Sequence, residues 1–419
     1  MAAAAGAPGA APVLTVEQAR QRVMAGLPRV QERERLSIRH ALGRVLADDV
    51  VSPIDVPAHD NSAMDGYALR AADLAGSGPT QLPVAGTALA GQPFHGSLPA
   101  GHCLRIMTGA MLPPGLDSVV PQEAVSVVDG RLVVPAGSVQ AGQHVRLRGE
   151  DLARGRPALP SGRRLRSADL GLLASLGQAE VVVWRPLRVA VFSTGDELRG
   201  IGQPLDEGCI YDSNRHALLG LLQGLPVEAL DLGMVRDDPA ALEAVLLGAA
   251  AQADVILTSG GVSSGEADHT RALLARLGQV TFCSLAMRPG RPLAFGRIAH
   301  HGREALLFGL PGNPVASMVA FLVFVRDALL TIGGATAGPP VLLKARASGP
   351  MRKRPGRTEY QRGLLGCADG EPTVRLTGSQ GSGILHSMSQ ADALVVLHHE
   401  QGDVAPGDWV DVMPLQGLL

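Results

Sequence analysis

The spacing of hydrophobic and polar positions changes several times along this 419-residue chain, and each change marks a new unit. From Thr15, which can cap, charged and apolar residues alternate at helical spacing through Arg44, so a helical start is predicted. From Val50 to about Arg148 the pattern becomes short apolar runs, such as 103–107 and 131–134, set between Gly and Pro. That reads as a small β-rich unit. Residues 167–177 then look like a short helix closed by Gly177 as its C-cap.

From Leu187 the pattern alternates between strand and helix. Strands are predicted at 189–192, 227–230, 254–258 and 305–308, and helices at 214–223, 239–251 and 269–277. A last, mostly apolar helix runs over 314–330, with Asn313 as N-cap and Pro314 at its first position. Such alternation implies a mostly parallel, doubly wound sheet. Residues 333–340 are a linker by composition. Beyond them, short strands separated by turns such as Ala405-Pro-Gly-Asp408 predict a small β-barrel or sandwich.

Composition narrows the function classes. Apolar residues make up 46 % of the chain and aromatics only 3 %, so its cores must be filled mainly by Leu, Val and Ala. A formal net charge of −2 leaves no basic footprint for nucleic acid, and scarce aromatics remove the stacking platforms of single-strand binders. Cys103, Cys209, Cys283 and Cys367 lie far apart without close His partners. That argues against a zinc site or a disulfide framework and for a reducing compartment. The start has no basic region followed by a long apolar run, as a secretory signal would. The most apolar stretch, 315–325, is short for a bilayer and is followed at once by Arg326 and Asp327. A soluble, cytoplasmic protein is expected, with no membrane or nucleic-acid partner.

In an open α/β sheet, ligands bind outside the carboxyl ends of the strands. Three loops there are rich in Gly and small polar residues. The first carries Ser193, Thr194, Gly195 and Glu197. The second, from Ser259 through Gly260 and Gly261 to Asp268, adds Ser263, Ser264, Gly265 and Glu266. The third holds Pro311, Gly312, Asn313 and Pro314. Glycines admit close backbone approach and helix starts offer free N–H groups, so together they form an anion cradle. For one loop alone, glycines that merely shape a tight turn are the better reading; three on one sheet edge reverse that. Glu266 and Asp268 beside a phosphate would repel it unless a cation intervened, which points to Mg²⁺. Capping of the helix that begins near Asp268 is the rival role for that residue. Glu197 and Asp237 add charge from neighbouring loops, although Asp237 also suits a plain turn before Pro239. Arg288 and Arg291, bracketing Pro-Gly, can present two guanidiniums to one small oxyanion.

Read together in order, NSAMDGYA, IMTGA, GED, STGDEL, YDSNR, SGGVSSGEAD, RPGRP and GLPGNP resemble the MoeA family, the molybdopterin molybdenumtransferases. Relatives of that family include the E domains of plant Cnx proteins and of gephyrin. The resemblance runs from about Thr15 to the C-terminus. It implies a multidomain α/β plus β build with four units. These are an elongated helical region from 13–50 and 149–180, an inserted β-rich domain over 51–148, a MogA-like doubly wound α/β domain over 186–334, and a C-terminal β-barrel over 340–419. It also implies a homodimer whose active sites are shared between subunits, with a separate molybdopterin adenylyltransferase as a candidate partner. The implied reaction takes adenylylated molybdopterin and molybdate, with Mg²⁺ as cofactor, installs molybdenum on the dithiolene sulfurs and releases AMP.

Carried over position by position, Asp65, Thr108, Asp151, Glu197, Asp237 and Asp268 match the family's catalytic positions, and Ser263 matches a functional one. Asp268 and Glu266 are the candidate metal ligands. Arg288, Arg291 and Pro292 match the molybdate pocket, with Arg357 and Ser382 as further candidates. Lysines are common in the family where this chain has Arg288 and Arg291, so charge is kept while hydrogen-bond geometry differs. Two alternatives share parts of this pattern: a molybdopterin adenylyltransferase, which would need only the α/β domain, and a non-catalytic scaffold of the gephyrin E type.

Overall fold

The computed structural model describes residues 13–261 and 267–418, with side chains in the second stretch from 272 onward. Its centre is a seven-stranded sheet with helices on both faces. In spatial order the strands are Val13–Leu14, Gly278–Leu285, Pro292–His300, Arg303–Leu310, Val255–Ser259, Leu187–Thr194 and Val227–Val235. The last four run parallel, as the alternating pattern predicts. Gly278–Leu285 and Pro292–His300 extend the sheet antiparallel, a hairpin the sequence reading did not anticipate. Both strands are only half-buried, so neither produces the continuous apolar run of Val255–Ser259, which is buried throughout.

Helices Ser213–Gln223 and Pro314–Ala320 cover one face of this sheet, and Pro239–Gln252 with Ala267–Leu277 the other. The helix opened by Pro314 continues through a π-helical turn, Phe321–Val325, to Ile332. It is therefore 19 residues long, longer than the apolar stretch read from sequence, and it is buried over nearly its whole length inside the protein. Asn313 occupies its cap position, but its side chain makes no capping hydrogen bond. The predicted Asn313 cap is thus positional only. Main chain supplies the bond, with Ser382 accepting from the Val315 N–H at 3.1 Å.

The helical reading of the N-terminal region needs correction. Thr15 does cap: its hydroxyl accepts from the Gln18 N–H (3.2 Å) and Gln18 answers at the Thr15 N–H (3.0 Å). The helix ends at Met24, however. Gly26 takes a positive φ and Pro28 follows, so the chain cannot continue as a helix. Arg33–Ser37 is instead a strand, paired antiparallel with Glu180–Trp184. Residues 149–180 likewise contain a single α-helix, Ser167–Ser175, beside short strands. That helix closes at Gly177 as expected, with the Gly177 and Gln178 N–H groups bonded back to Ala174 and Leu173. Val13–Leu14 and helix Val16–Met24 pack on the central α/β unit, where Ala19 and Val23 join its core.

Between these segments lies a six-stranded sheet of Ser118–Pro121, Gly66–Leu69, Cys103–Ile106, Thr80–Ala88, Arg131–Val134 and Ser126–Val128. At the C-terminal end, Thr358–Ala368, Glu371–Leu376, Leu343–Ala347, Trp409–Pro414 and Ala393–Leu397 close into a five-stranded barrel, since the last strand pairs back with the first. Met287–Arg288 adds to the barrel's rim through Thr358–Glu359, which ties the two-arginine loop to it.

Candidate active site

The three Gly-rich loops follow the parallel strands Leu187–Thr194, Val255–Ser259 and Arg303–Leu310. Because those strands share one direction, the loops emerge at one edge. There they enclose a cavity of about 570 Å³. Its wall includes Ser193, Thr194, Gly195 and Glu197 from the first loop and Ser259, Gly260 and Gly261 from the second. Pro311, Gly312, Asn313 and Pro314 come from the third, and Asp237 and Pro292 also line it.

The loops are locked to one another by polar side chains. Ser193 Oγ donates to Asp212 Oδ1 at 2.9 Å, and Thr194 Oγ1 donates to the Asp237 carboxylate. Asp237 is therefore more than a turn residue; Asp238 takes the capping role for helix Pro239–Gln252. Gly260 is required by geometry. Its φ is +97°, and a Cβ there would stand 2.4 Å from the Thr194 carbonyl oxygen. This glycine lets two loops touch, so its first role is packing.

Two helix starts face the cavity, those of Ser213–Gln223 and of Pro314–Ala320, and both offer the partial positive charge that suits an anion. Residues 211–214 of the first were not singled out from sequence, although they lie in the YDSNR motif. Asn214 Nδ2 donates to both Ser259 Oγ (2.7 Å) and the Gly312 carbonyl (2.6 Å), joining the second and third loops. Asp212 caps the helix and pairs with Arg215 at 2.8 Å. An aspartate just before a helical pattern was the available signal. Glu197 and Asp237 form no ion pair among the described residues, so two carboxylates face the cavity without a cation.

The two-arginine segment reaches this cavity at Pro292, which lines it; Arg288 and Arg291 themselves are not among its lining residues. The side chain of Arg288 is exposed and has no hydrogen bond or ion pair among the described residues, and that of Arg291 only donates from Nε to Ser284 Oγ at 3.0 Å. Neither is held in a surface ion pair. Between them Gly290 adopts φ +102°, which a side chain would strain. Arg357 differs, because its guanidinium is held by the buried Glu359 at 2.7 Å. Ser382 meets the site through its carbonyl, and its neighbour Gly383 lines the cavity.

Asp65, Thr108 and Asp151 do not reach this cavity within one chain. Asp65 Oδ1 accepts from both the N–H and the hydroxyl of Thr108, each at 2.7 Å. Those two bonds, the amide first, hold the Asp65 carboxyl below its ordinary pKa. The loop bearing Asp151 is tied to the same part of the inserted unit, through the Arg148 N–H to Asp60 Oδ1 at 2.7 Å. Ser263, Ser264, Gly265 and Glu266 lie outside the described residues. Asp268 falls in the first turn of helix Ala267–Leu277, with its side chain outside them too. Among the described residues no cluster of three His, Cys, Asp or Glu could hold a metal ion.

An α/β unit with an anion-cradling cavity at its carboxyl edge, flanked by an inserted β-rich unit and a C-terminal barrel, defines a multidomain small-molecule-binding protein of the MoeA build. Comparison agrees along the chain. Residues 14–177 match the MoeA N-terminal region (domains I and II), 190–331 the "probable molybdopterin binding domain", and 344–415 the MoeA C-terminal region (domain IV). The chain is 41 % identical to the molybdopterin molybdenumtransferase of Haemophilus influenzae, over 97 % of this chain and all of that one. It is 38 % identical to the molybdopterin molybdenumtransferase of a Nostoc species, over 92 % and 89 % of the two chains. The crystal structure of the molybdopterin biosynthesis moeA protein of Pyrococcus horikoshii superposes with a TM-score of 0.82 at 27 % identity, covering 96 % of this chain and all of that one. The protein belongs to the MoeA family of molybdopterin molybdenumtransferases.

Proposed function

We propose that this protein inserts molybdenum from molybdate into adenylylated molybdopterin and releases AMP, as a step in molybdenum cofactor biosynthesis. The observation that carries the proposal is the pairing of a Gly-lined cavity of about 570 Å³ with an adjoining segment, joined to its wall at Pro292, whose two arginines no carboxylate of the described residues engages. The cavity's helix starts suit the phosphates of the nucleotide-bearing substrate. Arg288 and Arg291, which carry charge and planar donor sets, suit a small tetrahedral dianion such as molybdate. Both substrates would then meet where Pro292 joins the cavity wall.

The uncompensated Glu197 and Asp237 support a cation between protein and phosphates, and their all-oxygen chemistry suits Mg²⁺. Asp268 and Glu266 would complete its ligands. Bound there, Mg²⁺ supplies neutralisation of the pyrophosphate. The chain's own residues do the positioning: Asn214 fixes two loops at one spacing, and the loop amides orient the phosphates. Ser193, the cavity serine that donates to a carboxylate, is buried, and its partner Asp212 is already paired with Arg215, so a covalent enzyme intermediate forms no part of this reading.

The site is further read as shared between two subunits. Asp65 and Thr108 form a pre-organised pair on the inserted unit, outside the cavity of their own chain, and a partner's cavity in a homodimer gives that pair something to face. The adenylyltransferase reading is disfavoured by chain organisation, because the inserted unit and the barrel serve no purpose in an α/β domain acting alone. A separate adenylyltransferase would supply the substrate. Incubating the purified protein with adenylylated molybdopterin, with and without molybdate, tests the proposal by the AMP released.

A further inference from the structure

Arg362, in the barrel, is the more deeply buried of two cations there, with Lys353, that no acid pairs with among the described residues. Arg362, in strand Thr358–Ala368, has a wholly inaccessible side chain (0 %), a position arginines almost never take unless paired. No carboxylate pairs with it among the described residues. Its guanidinium is caged instead by one short stretch of chain. Nη2 donates to the carbonyls of Ser379 (3.1 Å) and Gly381 (2.9 Å), and Nη1 to that of Gln380 (3.3 Å). Nε donates to Ser387 Oγ at 3.2 Å. Main-chain bonds complete the arrangement: the Arg362 N–H donates to Gln380 Oε1 at 2.7 Å, and its carbonyl accepts from Gln380 Nε2 at 3.2 Å. A methionine could fill such a space without the desolvation cost of a charge, so packing alone does not account for the guanidinium.

What the cage holds is the segment that completes the cavity wall. Directly after Gly381 come Ser382, whose carbonyl receives the Val315 N–H, and Gly383, which lines the cavity. The two-arginine loop is joined to the same strand, where Arg288 pairs in register with Glu359. Burial, and then the nearby charge of Arg288, lower the proton affinity of Arg362.

We propose that Arg362 is a positioning residue for the oxyanion subsite: its caged guanidinium fixes the 379–383 segment so that this segment and Arg288 address one tetrahedral dianion. This rests on the reading of Arg288 and Arg291 as the molybdate site. Lysine at position 362 would keep the charge but has three donors on a single nitrogen, too few and too close together to satisfy four separated acceptors. Leucine and valine fillings are uninformative for the same site, because they remove charge and geometry at once.

The test uses the full-length protein and three variants, Arg362→Lys, Ser387→Ala and, as a reference, Arg288→Ala. Two quantities are read: the molybdate concentration for half-maximal AMP release, and the shift in melting temperature produced by molybdate alone. Arg362→Lys is expected to raise half-saturation about tenfold or more while the maximal rate stays within about twofold, and to weaken the molybdate-induced shift in parallel. Ser387→Ala removes one acceptor of the cage and should fold normally, with a smaller rise of about two- to fivefold. It decides the question if Arg362→Lys does not fold. Unchanged molybdate dependence in the folded variants, with Arg288→Ala impaired, overturns the role given to Arg362. A uniform fall in rate with no change in half-saturation overturns it as well. If Arg288→Ala is also without effect, the oxyanion assignment falls and this inference falls with it.

Discussion

Replacing Arg288 by alanine should weaken molybdate binding without weakening the fold. The side chain is exposed and engages no carboxylate among the described residues, so its removal strands no described acid. The whole effect is therefore expected in the anion it would bind. A charge-assisted hydrogen bond is worth about 1.5–3 kcal/mol, which converts to roughly tenfold to a hundredfold in apparent affinity. Arg291→Ala should show a similar loss together with a small stability cost, because its Nε already donates to Ser284 Oγ at 3.0 Å. A bond of that kind, from a charged but solvent-exposed guanidinium to a hydroxyl, contributes about 0.5–1.5 kcal/mol. Lysine at either position should be milder, since the charge survives while the planar donor set is lost. Molybdate is titrated against each variant by AMP release, and binding of adenylylated molybdopterin is measured separately. An unchanged molybdate dependence, or a defect confined to the nucleotide-bearing substrate, would refute the reasoning.

Other consequences are open to simpler assays. Mixing inactive Asp65→Ala and Asp268→Ala proteins should restore part of the activity through heterodimers, and zero activity after verified subunit exchange would sink the shared site. Gly260→Ala should destabilise the protein by about 1–3 kcal/mol from backbone strain alone, and more because its Cβ would stand 2.4 Å from the Thr194 carbonyl oxygen; a melting temperature equal to the parent's would contradict the loop contact. Thr108→Val removes one of the two bonds that lower the Asp65 pKa, so the Asp65 midpoint followed by NMR should move up toward the ordinary aspartate value. The sign follows from linkage. A depressed folded-state pKa contributes stability above the ordinary carboxylate value and loses it as pH falls through the folded value. This pair should therefore cause no change in stability between pH 6 and 8, a window that begins about two units above the ordinary carboxylate value, and pH-dependent melting in that window abolished by Thr108→Val would count against it.

Much of the central unit could be read from sequence because its signals are local. Gly, Pro and capping residues stand at fixed offsets from strand and helix ends, and the three loops they mark do converge on one cavity. The N-terminal region misled because charged residues in Arg33–Ser37 fit helical spacing as well as strand alternation. Its partner strand, Glu180–Trp184, lies about 150 residues away, beyond the reach of any local pattern. Asn214 was passed over for a related reason. In sequence it is one polar residue at a helix start, and its bridging of two loops exists only after the sheet has formed. Arg362 was invisible for the opposite reason, since an arginine is presumed exposed until a fold buries it.

The most direct test of the account is a single incubation of the purified protein with adenylylated molybdopterin and Mg²⁺, followed for AMP with and without molybdate. The account predicts AMP release that requires molybdate, saturates with it, and is accompanied by molybdenum bound to the pterin product. AMP released at the same rate without molybdate, or no release under any condition while adenylylated molybdopterin accumulates from ATP and molybdopterin, would contradict it.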